Sequence, residues 1–217
     1  MYKLPFLSFF DGWLLHAPLK LGVSYTDKKK LEMAKRVFLT GGTGTNGPYV
    51  AKALVAAGHY VVALVRNPNK PEAAELRSLG IELLVGDTND LLRSDSPQME
   101  KVGSCDWVVW LSQHWGDFSA ELPMKKSVLQ KLESTSSRPN TKGFIFSGGV
   151  AGYKEANNPD STLVDEAASQ EDSPLKLQER TIHQYPNIIG VSIRLGFSYS
   201  DRPQHHSRFQ RTVQEIR

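Results

Sequence analysis

Cysteine is almost missing: the 217-residue chain has one, Cys105. That excludes an intramolecular disulfide and a multi-cysteine metal site. It also fits a reducing compartment, so a cytoplasmic location is expected. Long hydrophobic runs are missing too. The most apolar stretch, residues 1–22, is interrupted by Pro5, Asp11, Gly12 and Pro18. No uncharged run nears the ~20 residues that a membrane span requires. The same stretch lacks the clean apolar core and small-residue cleavage site of a signal peptide, and with no arginine before Arg36 it is unlike a transit peptide. Nor does one sign of charge dominate. Lys plus Arg is 26 against 23 for Asp plus Glu, a formal net charge of +3. Six lysines against three acids in residues 1–35 already account for it, so the rest of the chain is balanced. No basic nucleic-acid-binding domain is expected.

What is present is ordinary globular material, with 40% hydrophobic and 23% charged residues, enough for a sizeable core. Met33-Ala-Lys-Arg-Val-Phe-Leu-Thr reads as a short basic lead into a buried strand. Residues 1–34 are therefore expected to be an N-terminal extension, poorly ordered or serving as an apolar arm against a partner. Beyond them strands and helices alternate. Apolar runs at Val37–Thr40, Tyr60–Val65, Ile81–Val85, Asp106–Leu111, Gly143–Ser147 and Ile188–Arg194 read as buried strands. Helical spacing marks Asn46–Ala57, Pro71–Leu79, part of Ser119–Ser134, and Pro174–Gln184. Gly58 and Gly80 stop the first two helices, and Pro48 fits a first helical turn. The alternation predicts an α/β fold with a parallel sheet and helices on both faces.

The strongest signal is Thr40-Gly41-Gly42-Thr43-Gly44-Thr45-Asn46-Gly47, between the first strand and the first helix. In that context Gly41 permits a tight turn, Gly44 lets backbone approach a pyrophosphate, and Gly47 lets the helix pack on the strand. Thr43, Thr45 and Asn46 complete the loop, and the helix N-terminus offers N–H groups to phosphate. The glycines are spaced three apart, unlike G-x-G-x-x-G, and there is no Gly-Lys-Ser/Thr of an ATP-type P-loop. The second strand ends in Arg66, nineteen residues after Gly47, with Lys70 nearby and no acid before Glu72. An acid there would bind a ribose 2′-hydroxyl, whereas arginine suits a 2′-phosphate. The expected cofactor is NADP(H) in preference to NAD(H).

Thr-Gly-x-x-Gly-x-x-Gly after an N-terminal strand resembles the short-chain dehydrogenase/reductase superfamily. Gly58-His59, Val65-Arg66-Asn67-Pro68, Gly86-Asp87, Phe146-Ser147-Gly148-Gly149, Val164-Asp165-Glu166 and Ile193-Arg194-Leu195-Gly196-Phe197-Ser198-Tyr199 resemble landmarks of its extended epimerase/dehydratase branch. The resemblance covers about Lys35 to Asp201. It implies a Rossmann-like doubly wound domain over residues 35–201, followed by a short segment, 202–217, with little or no substrate domain. It also implies that Asp87, with Thr88 beside it, contacts adenine, and that Leu111-Ser112-Gln113 passes the nicotinamide-side ribose.

The chemistry of that superfamily uses a serine after the fifth strand and a tyrosine and lysine four residues apart on one helix. Ser147 stands in the serine position. The tyrosine–lysine pair is missing. Tyr25 and Lys29 have the spacing but precede the glycine loop, and Lys176 has Asp172 four residues before it. Lys176 and Tyr153 remain as catalytic candidates beside Ser147, each also readable as a solvated lysine and a packing tyrosine. His114 and Trp115 follow the fourth strand, near the expected cofactor edge. Trp107 and Trp110 read as core, Cys105 as unactivated, and Asp201, His205 and His206 as too few for a metal. The functional expectation is an NADP(H)-binding oxidoreductase or epimerase-like protein acting on a small carbonyl or hydroxyl compound or a nucleotide sugar. The alternatives are a non-catalytic NADP(H)-binding regulator, or a truncated form of a longer epimerase/dehydratase. The partner is a small-molecule substrate, with a homo-oligomer or partner protein left open.

Overall fold

Val37, Phe38, Leu39 and Thr40 are all buried. A strand buried on both faces must lie inside a sheet covered on both sides, and the fold is built around this one. The structure is a computed structural model that describes residues 34–114, 117–149 and 174–195. Strands β1 (Arg36–Thr40), β2 (Tyr60–Val65), β3 (Glu82–Val85), β4 (Trp107–Trp110), β5 (Lys142–Gly149) and β6 (Ile188–Leu195) form one sheet in the order β3-β2-β1-β4-β5-β6. Every neighbouring pair is parallel. Helices α1 (Gly47–Ala56), α2 (Pro71–Ser78), α3 (Pro97–Gly103), α4 (Leu122–Ser134) and α5 (Pro174–Ile182) make the crossovers.

Two apolar cores follow from strand alternation. On one face Phe38, Val108, Trp110, Phe144 and Phe146 pack with Met99 of α3, Val128, Leu129 and Leu132 of α4, and Leu175 and Ile182 of α5. On the other, Val37, Leu39, Val61, Ala63 and Val109 pack with Ala51 and Leu54 of α1 and Leu76 of α2. The doubly wound expectation is therefore met, with each expected strand in its place and bounds shifted by at most two residues. Helix α3 was not legible. Only Met99 and Val102 of its seven residues are buried core positions, too few for a periodic signal. Ser96 holds its start, accepting a bond from the Met99 N–H at 3.1 Å. The region Ser119–Ser134 begins with a 3₁₀ turn, Phe118–Glu121, before α4. Trp110 is wholly buried, and Trp107 lies over Gly143, where a methyl group would come within 2.4 Å of its ring. Trp110 is core, as expected, and Trp107 is partly buried against the α1–α2 core. Cys105 is buried, and its thiol is pushed up to about 11 by desolvation, so it is no nucleophile.

Candidate functional site

Strand order reverses between β1 and β4, and ligands of open α/β sheets bind in the crevice beyond the strand ends at such a point. The loops bordering this crevice are Gly41–Asn46, after β1, and Leu111–His114, after β4. They touch. Gly41 has φ +71°, and a methyl group on it would come within 2.8 Å of the Leu111 carbonyl carbon and the Ser112 nitrogen. Ser112 N lies 3.4 Å from Thr40 Oγ1. The loop closes on itself where Gly44 N–H donates to the Gly41 carbonyl at 2.9 Å. Gly44 is exposed. Gly47 is buried, and a Cβ there would fall 2.3 Å from the carbonyl oxygens of both Gly41 and Gly42. Helix α1 begins directly from this turn with no side-chain cap and no acid in its first turn. A helix N-terminus with no acid beside it suits an anion such as a dinucleotide pyrophosphate. Thr43, Thr45 and Asn46 line the same loop and are partly exposed.

Arg66 follows β2 with its side chain 83% exposed. Its loop is held by Arg77 Nη2 donating to the Pro68 carbonyl and by Asn69 N–H donating to Asn67 Oδ1. Asp87, after β3, lies beside it, with Oδ2 4.0 Å from Arg66 Nε. The other oxygen, Oδ1, caps the turn Thr88–Leu92, accepting from Asn89 N–H at 3.0 Å. Asp87 thus caps a turn, and it stands after β3 next to Arg66 with Thr88 adjoining.

Ser147 is 7% exposed, and its carbonyl accepts a bond from Gln113 Nε2 at 3.0 Å. That contact ties the loop after β4 to the end of β5. Ser147 shares its sheet face with Ile145, which packs on the α1–α2 core, whereas Phe144 and Phe146 pack with Leu175 and Ile182 of α5 on the other. Lys176 is on α5. Ser147 and Lys176 therefore start from opposite faces of the sheet. Trp115, Tyr153 and Asp172, like Asp201, His205 and His206, lie outside the described residues. Among the described residues no three His, Cys, Asp or Glu side chains could hold a metal, and no helix is long and apolar enough to cross a membrane.

A buried polar cluster on the α4–α5 side was not foreseen. Glu121 and Lys125 are each about 1% exposed. Lys125 Nζ donates to Glu121 Oε2 at 2.7 Å and to Gln178 Oε1 of α5, and lies 3.8 Å from the Phe146 ring centroid. Glu121 Oε2 also accepts from Trp110 Nε1 at 3.2 Å, and Oε1 from the His114 N–H at 2.6 Å. His114 Nδ1 is 3.6 Å from the same Oε1. Burial lowers the Lys125 ammonium to about 8, against the pull of Glu121. In the sequence the pair looks like any solvated Glu–Lys couple four residues apart.

The fold and its switch-point crevice define a Rossmann-like α/β domain. Residues 33–151 match the NmrA-like family, more than half of the chain, and the chain belongs to that family. A Synechocystis sp. protein assigned as a dihydroflavonol 4-reductase is 42% identical over 60 residues, 28% of this chain and 17% of that one. Among solved structures, the UDP-glucose 4-epimerase of Bifidobacterium longum, in complex with NAD+ and UDP, superposes with a TM-score of 0.57 at 20% identity, over 73% of this chain and 52% of that one. A doubly substituted mutant of NmrA superposes with a TM-score of 0.52 at 16% identity, over 74% and 45%. The chain thus spans less than two thirds of the length of each relative. The resemblance to the extended short-chain dehydrogenase/reductase branch agrees with these neighbours.

Proposed function

We propose that this domain binds NADP(H) in the crevice between the loops after β1 and β4, and that it is an oxidoreductase or epimerase-like unit for a small carbonyl or hydroxyl compound or a nucleotide sugar. The observation that carries the reading is the Gly41–Gly47 turn, closed against Leu111 and Ser112 and leading into a helix with no side-chain cap and no acids in its first turn. Gly41, Thr43, Gly44, Thr45, Asn46 and Gly47 would hold the pyrophosphate. Arg66 would face the 2′-phosphate, Asp87 and Thr88 the adenosine, and Leu111 and Ser112 the nicotinamide ribose. The bound group would supply hydride chemistry. The first test is a thermal shift with NADPH and with NADH, then the loss of reduced-nicotinamide absorbance against a panel of carbonyl compounds. A shift with neither cofactor overturns the reading.

The second reading is a binding module that carries NADP(H) without chemistry. The missing Tyr-x-x-x-Lys pair favours it, as do the opposite sheet faces of Ser147 and Lys176. NADPH binding with no oxidation across the panel would select it.

A further inference from the structure

If the crevice holds a nicotinamide dinucleotide, as proposed above, the chemistry needs a group to move a proton, and among the described candidates Ser147 and Lys176 start from opposite faces of the sheet. We propose that His114 is that group, with Glu121 as its charge partner. His114 sits three residues beyond Leu111, on the β4 loop that abuts the glycine turn. The neighbouring Gln113 reaches over to the Ser147 carbonyl, so the loop spans the ends of β4 and β5. The His114 side chain is 44% exposed, while Glu121 is 2% exposed and holds the loop through the His114 backbone N–H at 2.6 Å. Nδ1 is the ring nitrogen that faces the carboxylate, at 3.6 Å.

Two carboxylates lie near His114 in the chain and in space. Glu121 lies behind the ring, and Asp117, whose N–H bonds the His114 carbonyl at 3.2 Å, is a second carboxylate on the same loop. Asp117 is held below the usual carboxylate range, first by its bond from Ser119 and in lesser part by His114. Lys125, the cation of the cluster, pairs with the other oxygen of Glu121, Oε2. A carboxylate beside one imidazole nitrogen favours one orientation of the ring and leaves the other nitrogen to exchange a proton. In the reductive direction a carbonyl carbon accepts a hydride, with its two electrons, from the reduced nicotinamide, which is thereby oxidised. The C=O π pair moves to oxygen, which takes the proton of the His114 Nε2–H. The product is an alcohol, and the neutral imidazole regains a proton from water.

The test uses the full chain and His114→Gln, an exposed change that spares the fold. The His114 ring resonance is identified in the NMR spectrum by its loss in the variant, and is followed during NADPH addition and through a pH titration. The expected result is a His114 signal that moves on NADPH binding and changes its chemical shift in Glu121→Gln. His114→Gln should still bind NADPH while its turnover of the carbonyl panel falls about hundredfold or more. If Glu121→Gln does not fold, the first signal and the His114→Gln kinetics decide. A His114 resonance indifferent to bound NADPH overturns the proposal, as does full activity in His114→Gln. NADPH binding by the wild type with no turnover overturns it too. Failure of the wild type to bind either dinucleotide is distinct: it removes the dinucleotide reading, and this proposal with it.

Discussion

A methyl group on Gly47 would lie 2.3 Å from the carbonyl oxygen of Gly41. The obstruction is backbone, fixed by the Gly44 N–H bond to that same carbonyl, so it cannot be relieved by turning a side chain. Gly47→Ala is expected to destabilise the domain by about 1–3 kcal/mol or more and to abolish the NADPH thermal shift. Gly80 is the control. It has φ +77° with nothing within 4 Å of an added Cβ, so Gly80→Ala costs only the left-handed strain of about 1–2 kcal/mol. Its NADPH shift should persist. Loss of binding in both variants would mean that global stability, and not the shape of the turn, carries the effect.

If the crevice binds NADP(H), Arg66 and Asp87 are expected to make opposed contributions to cofactor choice. A guanidinium contact to phosphate is worth about 1.5–3 kcal/mol, so Arg66→Ala is expected to weaken NADPH about tenfold or more and to leave NADH nearly unchanged. The Asp87 carboxylate, 4.0 Å from Arg66, would repel the same phosphate. Asp87→Asn keeps an oxygen for the Asn89 N–H and should tighten NADPH relative to NADH. Titration of both cofactors by fluorescence checks each change. Equal losses for the two cofactors in Arg66→Ala would make Arg66 a loop support.

The parts of this site that the sequence announces are those that backbone geometry alone determines. Gly41 and Gly47 are readable because only glycine tolerates those approaches, and β1 and β2 because a strand buried on both faces must be a continuous apolar run. Helix α3 escapes because its crossover rests on Met99 and Val102 with a serine cap. The Glu121–Lys125 pair escapes for a different reason. Charged residues four apart ordinarily face water, and nothing local says that α5, fifty-three residues beyond Lys125, will close over them through Gln178. The opposite faces of Ser147 and Lys176 are equally a tertiary fact, visible only once α5 is placed on the Phe144–Phe146 side.

The N-terminal segment can be tested by removal. The sheet is tied down from Lys35 onward. Lys35 N–H donates to His59 Nδ1 at 3.2 Å, its carbonyl accepts from Tyr60 N–H at 2.9 Å, and Arg36 N–H donates to Asp106 Oδ2 at 2.8 Å. A chain starting at Met33 keeps all three bonds. It is expected to melt within a few degrees of the full chain and to give the same NADPH shift. Insolubility, or a collapse of the melting point, would make residues 1–32 part of the folded core.

The buried Lys125 gives the protein a pH dependence of defined sign. Its ammonium is held near 8 in the folded state, against 10.5 for a free lysine, because burial outweighs the attraction of Glu121. Between those values the unfolded chain carries a proton that the folded chain has released, so stability rises with pH. The Lys125 contribution is complete above 10.5 and is lost as pH falls through about 8. It changes by about 1.4 kcal/mol per pH unit across the window. Lys125→Met removes this slope. At neutral pH the variant also leaves the Glu121 carboxylate buried without its cation, which typically costs about 3–5 kcal/mol. Adding Glu121→Gln should restore part of that loss, since a neutral amide still accepts the His114 N–H. Urea unfolding of the wild type and Lys125→Met from neutral pH to pH 10.5 separates the terms. The stability gap between them should widen with rising pH. A gap that stays constant, or narrows, would show that Lys125 titrates like an exposed lysine and that the cluster is open to water.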